Sequence, residues 1–272
     1  MSLPNRLPWD SALVTGASSG IGAETARLLA AHGVGRLVLV ARRVDRLDQL
    51  AAELREAHGT EVELLPADLA EPGPLAVVEA RLADADRPID LLVNNAGLGT
   101  LGPLHSLPAD GEEREIRVNV VALVRLTRAA LPGLLERARG GVLNVSSMAS
   151  YQPAPGTATY GASKAFVTSF TEAVHEEVRG SGVSITALCP GFTRTEFQES
   201  AGSSPDGMAP GFAWMSAQAV AEAGLAAVAA GKALCIPGAG YKVIAGATTP
   251  LPRSAKRWLM GRASSTRGRR GT

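Results

Sequence analysis

Short apolar runs rich in branched residues alternate along this chain with longer stretches whose apolar residues fall at helical spacing, and that alternation leaves few architectures open. The runs are Ala12–Val14, Arg36–Val40, Val62–Leu65, Ile89–Val93, Val142–Val145, Val183–Cys189 and Ala233–Ile236. Between them lie segments rich in Ala, Leu, Glu and Arg. Gly22–Ala31 is one and Leu47–Ala57 another, in which Leu47, Leu50, Ala51 and Leu54 form one face. Strand–helix alternation predicts a parallel sheet with helices on both faces, and right-handed crossovers make it a doubly wound α/β sheet. A length of 272 residues suits one large domain, and 46% apolar with 4% aromatic residues fits an interior of Ala, Val, Leu and Ile.

The first run leads into Thr15-Gly16-Ala17-Ser18-Ser19-Gly20-Ile21-Gly22, where a helix begins. Glycines let the backbone turn sharply and approach a pyrophosphate, and the helix N-terminus offers free N–H groups and a partial positive charge. The spacing is Gly-x3-Gly-x-Gly rather than the more familiar G-x-G-x-x-G. Placed directly after the first strand, it reads as the phosphate cradle of a Rossmann-type dinucleotide site. At the end of the second strand stand Ala41, Arg42 and Arg43, where such sites hold either an acid for the ribose 2′-hydroxyl or an Arg for a 2′-phosphate. With no carboxylate there to repel phosphate, NADP(H) is expected over NAD(H). Asp68-Leu69 follows the third strand and Asn94-Asn95-Ala96-Gly97 the fourth, both at strand ends where ligands bind in such sheets.

Tyr160 and Lys164 are four apart in a helical segment and share a face. Tyrosine is a poor acid at neutral pH, and a neighbouring ammonium is expected to favour the phenolate. Ser147, at the end of the fifth strand, offers a hydroxyl that can steady charge developing on a substrate oxygen. Asn119, in a helical stretch, is placed to hold a water relaying protons to Lys164.

Taken together these residues resemble the short-chain dehydrogenase/reductase family over about residues 10–240: Thr15–Gly22, Asn94–Gly97, Asn119, Ser147, Tyr160-x3-Lys164 and Pro190-Gly191 stand in the family's order. The resemblance implies a seven-stranded parallel sheet and a catalytic tetrad of Asn119, Ser147, Tyr160 and Lys164. In it Tyr160 is the acid/base, Ser147 orients the carbonyl, Lys164 holds the nicotinamide ribose and lowers the tyrosine pKa, and Asn119 supports the relay. It also implies cofactor contacts from Gly16, Ser18, Ser19, Gly20, Ile21 and Gly22 in the loop, from Arg42, Arg43, Asp68, Leu69, Asn95, Ala96 and Gly97, from Tyr160 and Lys164, and from Pro190, Gly191, Thr193 and Thr195. Two departures stand out. Many NADP-using members carry Arg or Lys before the second glycine where this chain has Ser19, which places more of the 2′-phosphate on Arg42. The segment Ile236–Gly240 differs from the Val-Asp-Gly-Gly ending of tetrameric members, which leaves dimer and tetramer both open. A homodimer through the Asn119 and Tyr160 helices would use the small-residue face Ala165, Ser169 and Ala173; the alternative is that this face packs inside the monomer.

Residues 1–252 are expected to form one catalytic domain. Within it, residues 193–214 break the strand–helix rhythm with Gly, Ser and Pro yet carry Phe197, Met208, Phe212 and Trp214, which reads as a lid over the substrate. With Met148, Tyr151 and Leu98 it predicts an apolar pocket for a small ketone, aldehyde or secondary alcohol. Arg194 is the one cation near its mouth and keeps open a second class, small 3-hydroxy acids such as serine. A non-catalytic NADP sensor is a third, disfavoured because Tyr160 and Lys164 are both intact. His105 and His175 read as surface or structural residues.

Net charge is +1, which argues against nucleic-acid binding. The charge is uneven: residues 253–272 hold seven Lys/Arg and no acid, leaving 20 basic against 26 acidic residues in the body. This basic tail reads either as a frayed terminus or as a segment that docks on a subunit or an anionic surface. Cys189 and Cys235 form no metal or disulfide spacing. No signal-peptide pattern or apolar run of about 18 residues is seen, so no transmembrane segment and a cytoplasmic setting are expected.

Overall fold

The computed structural model describes residues 3–200, 210–248 and 250–268; Met208 lies outside them. Seven parallel strands form the central sheet: β1 (Ser11–Thr15), β2 (Arg36–Ala41), β3 (Glu61–Pro66), β4 (Leu91–Asn94), β5 (Gly140–Val145), β6 (Val183–Leu188) and, past the short strands β7 (Thr193–Arg194) and β8 (Met215–Ser216) outside this sheet, β9 (Leu234–Cys235). Their order is β3-β2-β1-β4-β5-β6-β9. All seven expected strands are present in the doubly wound arrangement. The chain reverses direction across the sheet between β1 and β4, which opens a crevice at their C-terminal ends.

A parallel sheet covered on both faces needs apolar residues on both sides of each strand. In β1 and β2 the alternation separates them cleanly. Ala12, Val14, Leu37 and Leu39 pack with Leu29 of α1 (Gly20–Ala31), Leu47 and Leu54 of α2 (Val44–His58) and Leu225 of α8 (Ala217–Ala229). Leu13, Val38 and Val40 face the other side, with Leu75 and Val78 of α3 (Pro72–Leu82) and Leu126, Ala130 and Leu134 of α5 (Leu123–Glu136). The expected face of α2 is the buried one: Leu47, Leu50, Ala51 and Leu54 are all core residues.

α4 (Ala109–Ile116) runs into α5 through a π-helical stretch, Arg117–Ala122, that periodicity does not reveal and that carries Asn119. The whole run Ala109–Glu136 is long and apolar enough by composition to cross a membrane, but 44% of its apolar window is buried, and its buried side chains belong to the core. α6 (Ala158–Glu177) packs beside it and bears Tyr160 and Lys164.

Of the expected lid, residues 201–209 lie outside the described residues, and the described parts on either side carry regular structure. β7 (Thr193–Arg194) pairs with β8 (Met215–Ser216) in a small parallel sheet, and α7 (Phe197–Ser200) follows β7. Phe212 is 93% exposed, so it does not wall the pocket as the sequence suggested; it sits on a short turn, Gly211–Ala213, directed to solvent. After α9 (Ala239–Thr248) the described part of the basic tail forms α10 (Arg253–Gly268); residues 269–272 lie outside the described residues. Arg, Lys, Ala, Leu and Met are good helix formers, and here that propensity decides the outcome despite the unbalanced charge.

Candidate active site

The site lies where β1 and β4 diverge. Thr15 Oγ1 accepts hydrogen bonds from Asn95 N and Ala96 N, both at 3.0 Å, and Asn95 Nδ2 donates to Thr15 O at 2.9 Å and Gly16 O at 3.2 Å. The glycine loop therefore presses against the end of β4. Gly16 has φ +65°, and a Cβ on Gly22 would stand 2.3 Å from Gly16 O. A side chain at either position would push helix and loop apart. Ser19 opens α1 without capping it through its side chain, and the first turn holds no acid, so the helix N-terminus keeps its positive end. Ala17, Ser18, Gly20 and Ile21 complete the loop; a Cβ on Gly20 would stand 3.0 Å from Thr195 Cγ2.

Arg42 and Arg43 both sit exposed past β2. The sequence laid the 2′-phosphate on Arg42, yet Arg43 is the guanidinium that reaches the loop, with Nη2 donating to Ser18 Oγ at 3.1 Å. Arg42 instead lends its charge to Asp68. Burial pulls the Asp68 carboxyl upward, but hydrogen bonds from Ala70 N and Arg114, with Arg42 nearby, hold it below the usual range. Leu69 beside it is buried.

On the other side of the crevice Ser147, extended at the end of β5, places its hydroxyl against the Tyr160 phenol and accepts from Ala149 N at 3.1 Å. Lys164 is buried, and its Nζ donates to Val145 O at 2.9 Å. Asn119 is clamped in place: Oδ1 accepts from Leu98 N at 2.9 Å, and Nδ2 donates to Leu98 O at 2.9 Å and Ser163 Oγ at 3.0 Å. A Cβ on Gly97 would stand 3.3 Å from Asn119 Oδ1 and 3.4 Å from Lys164 Nζ, so these two groups face one another across a bare backbone. Met148 N donates to Pro190 O at 2.9 Å, which ties the Ser147 segment to Pro190-Gly191. Thr193 Oγ1 donates to Gly191 O at 3.1 Å, and Thr195 Oγ1 accepts from Phe197 N at 3.3 Å. The structure thus brings the four tetrad residues, the glycine loop, Asn95–Gly97 and Pro190–Thr195 to one edge of the sheet.

The electrostatics depart from expectation at one point. Burial pushes the Tyr160 phenol up to about 12, opposed by the hydrogen bond from Ser147 and reinforced by the charges of Glu115 and Cys189. Burial also draws the Lys164 ammonium down to about 8, against the pull of Glu115 and Cys189. The sequence reading had Lys164 lowering the tyrosine pKa. In this structure the ammonium lies beneath the ring, 5.9 Å from its centroid, and the lowering influence comes from Ser147.

Two neighbours, Glu115 and Tyr241, escaped sequence reasoning, and a third, Phe197, was expected only as part of the lid. Glu115 is fully buried one turn before Asn119, and its Oε2 accepts from Thr100 N at 2.7 Å and Thr100 Oγ1 at 2.6 Å. Burial pushes this carboxyl up; the Thr100 hydrogen bonds and Lys164 oppose that, while Glu112 adds to it. A charged residue in helical register with Asn119 was the available signal. Phe197 sits over Tyr160 with ring centroids 5.5 Å apart and crowds Gly99, where a Cβ would stand 2.6 Å from its Cζ. Tyr241 packs on Gly191 and donates from its hydroxyl to Ala213 O at 2.7 Å, bracing the base of the lid. His105 is exposed on a short turn, and His175 Nδ1 lies 2.8 Å from Ile185 O, both away from the crevice.

Known proteins share this arrangement of elements. A family model described as short chain dehydrogenase matches residues 10–206. Over 189 residues, 68% of this chain, it is 34% identical to the human very-long-chain 3-oxoacyl-CoA reductase, and the match spans 60% of that relative's length. Sulfoacetaldehyde reductase 2 of Chromohalobacter salexigens is 39% identical over 69% of this chain and 74% of its own. Serine 3-dehydrogenase of Agrobacterium fabrum is 37% identical over 68% and 72%. Among solved structures, a short-chain dehydrogenase from Sphingobium yanoikuyae in complex with NADPH superimposes with a TM-score of 0.80 at 38% identity, covering 87% of this chain and 92% of the other. One from Burkholderia phymatum in complex with NAD gives 0.76 at 26% identity, covering 87% and 92%. With a family match over most of its length and relatives at 34–39% identity, the chain belongs to the short-chain dehydrogenase family.

Proposed function

We propose that this chain is an NADP(H)-dependent oxidoreductase that interconverts a carbonyl and an alcohol on a small, mostly apolar molecule, with Tyr160 as the acid/base. The observation that carries the reading is the meeting of Ser147 and Tyr160 side chains above Lys164, beside a glycine loop that Arg43 reaches. The donor set fits the cofactor: a helix N-terminus and glycine loop suit a pyrophosphate, and two arginines with no carboxylate at the end of β2 suit a 2′-phosphate. NADPH supplies the hydride when bound. The protein's part is to hold the substrate oxygen between the Ser147 and Tyr160 hydroxyls and to deliver the phenol's proton to it as negative charge develops there. With its pKa pushed up to about 12, that phenol is protonated at neutral pH, as carbonyl reduction requires. In this reading Lys164 and Asn119 hold the ribose and the relay, and Ile21, Leu69, Ala96, Gly191, Thr193 and Thr195 frame the cofactor.

The substrate class rests on apolar walls from Leu98, Met148, Tyr151 and Phe197. A second reading has support in the relatives named Sulfoacetaldehyde reductase 2 and Serine 3-dehydrogenase: Arg194, exposed on β7, would anchor a small acidic substrate. Residues 1–252 serve as the catalytic domain in a cytoplasmic setting, where the free Cys189 and Cys235 remain reduced. A second copy of the chain is the partner we propose for α6. Ala165, Ser169 and Ala173 lie on its exposed side rather than inside the monomer, next to Phe166. The test is a panel of ketones, aldehydes and acidic carbonyl compounds with NADPH and NADH, followed by absorbance of the reduced nicotinamide. NADPH-dependent turnover of apolar carbonyls, unchanged in Arg194→Ala, supports the first reading. Loss of all turnover in that variant, with acidic substrates alone accepted, supports the second.

A further inference from the structure

The first residue after Thr195 carries a carboxylate into the region assigned to cofactor phosphate. Glu196 Oε2 lies 2.9 Å from Arg43 Nη1, its Oε1 lies 3.9 Å from Arg46 Nη2, and the Ser19 side chain hydrogen-bonds it as well. Two of these three partners are what the sequence assigns to the cofactor: Arg43 past β2, and Ser19 at the uncapped N-terminus of α1. An anion is thus bound by the chain itself at an anion-binding position. Arg43 and its neighbours hold the carboxyl below the usual carboxylate range, so Glu196 is charged at every pH at which the enzyme would work. Its neighbour in sequence is Phe197, whose ring covers Tyr160 at 5.5 Å and abuts Gly99. One short segment therefore touches the arginine expected to read the cofactor and the tyrosine expected to perform the chemistry.

We propose that Glu196 is an internal rival of the cofactor's 2′-phosphate for Arg43, which makes it a determinant of cofactor choice and links phosphate binding to the position of Phe197 over Tyr160. The proposal rests on the NADP(H) reading given above. A guanidinium can serve two anions only if they share it, and a carboxylate beside a phosphate dianion repels it. A 2′-phosphate must draw Arg43 away from Glu196, whereas a bare 2′-hydroxyl leaves the pair intact. Coupling of this kind is reciprocal: freeing the Phe197 end of the segment lowers the cost of displacing Glu196 and so favours the phosphate.

The test is a binding measurement that needs no turnover. Adenosine 2′,5′-bisphosphate and adenosine 5′-monophosphate, which differ only in the 2′-phosphate, are titrated calorimetrically into the full chain and its variants. Glu196→Gln is expected to tighten the bisphosphate about three- to fivefold, the range of a partly exposed ion pair, with the monophosphate unchanged. Phe197→Ala is expected to move the bisphosphate in the same direction. In the Arg43→Ala background Glu196→Gln should add nothing, and thermal unfolding of each variant establishes that it is folded. A bisphosphate affinity that is unchanged or weaker in Glu196→Gln overturns the rivalry, because Glu196 would then merely hold Arg43 in place. A wild-type chain that binds both nucleotides equally overturns the NADP(H) reading and the proposal with it. A wild-type preference for the bisphosphate that Glu196→Gln leaves untouched overturns the proposal alone.

Discussion

Lys164 does not point at the hydroxyl of Tyr160: its Nζ donates to Val145 O at 2.9 Å and lies 5.9 Å from the centre of the tyrosine ring. The ammonium is held beneath the phenol by the last carbonyl of β5, out of water, and burial lowers its pKa from 10.5 to about 8. A group with a depressed pKa binds fewer protons in the folded chain than in the unfolded one between those two values.

The consequence is a pH dependence of stability with a definite sign. Below pH 8 the folded chain bears the cost of a buried ammonium, and as pH rises from about 8 to 10 that cost is relieved. Wild type should gain on the order of 2 kcal/mol relative to Lys164→Met over this interval, as measured by urea unfolding. Tyr160, pushed up to about 12, adds a loss only above pH 10 and does not obscure it.

Glu115 raises the pKa of Lys164, so Glu115→Gln, which keeps an acceptor for Thr100, should move that relief to lower pH with little change in overall stability. Glu115→Ala leaves both Thr100 donors unmet and should cost about 2–3 kcal/mol. Equal unfolding curves for the two variants would contradict this.

Gly99 and Phe197 form a steric pair. A methyl group at residue 99 would stand 2.6 Å from Phe197 Cζ and must displace the ring from Tyr160. Gly99→Ala should lower kcat/KM about tenfold through misplaced packing around the reacting oxygen, and Phe197→Ala in the same chain should restore most of it. Steady-state kinetics on one good ketone reads the cycle.

The exposed apolar residues Ile116, Val121 and Phe166, at 44%, 42% and 43% exposure, lie on the Asn119 and Tyr160 helices. Phe166→Glu should convert a dimer into a monomer in analytical ultracentrifugation, at unchanged far-ultraviolet circular dichroism. A monomeric wild type would rule out this interface.

How much of this was readable beforehand follows from the range of the interactions. The seven strands were legible because each is a short, local run of apolar residues, and the glycine loop because Gly16 and Gly22 answer a local need for a turn and a close approach. The grouping of Asn119, Ser147, Tyr160 and Lys164 was legible only as a pattern shared with a family; nothing in their separate neighbourhoods announces it. Glu196 against Arg43 and Phe197 against Gly99 were not legible, since each pair joins residues about a hundred or more positions apart. The π-helical stretch at Asn119 was hidden because its apolar spacing hardly differs from that of the flanking α-helices. The helix over Arg253–Gly268 follows from residues that favour helices, a local preference that the unbalanced charge of the segment does not show.

The most direct measurement of the central claim is a single-turnover comparison of wild type and Tyr160→Phe, with NADPH bound and a carbonyl substrate in excess, alongside the NADPH affinity of each. The account predicts a fall in the hydride-transfer rate of about a thousandfold, with NADPH affinity unchanged. A variant that transfers hydride within about tenfold of wild type would contradict it, because the proton would then come from a group other than this phenol.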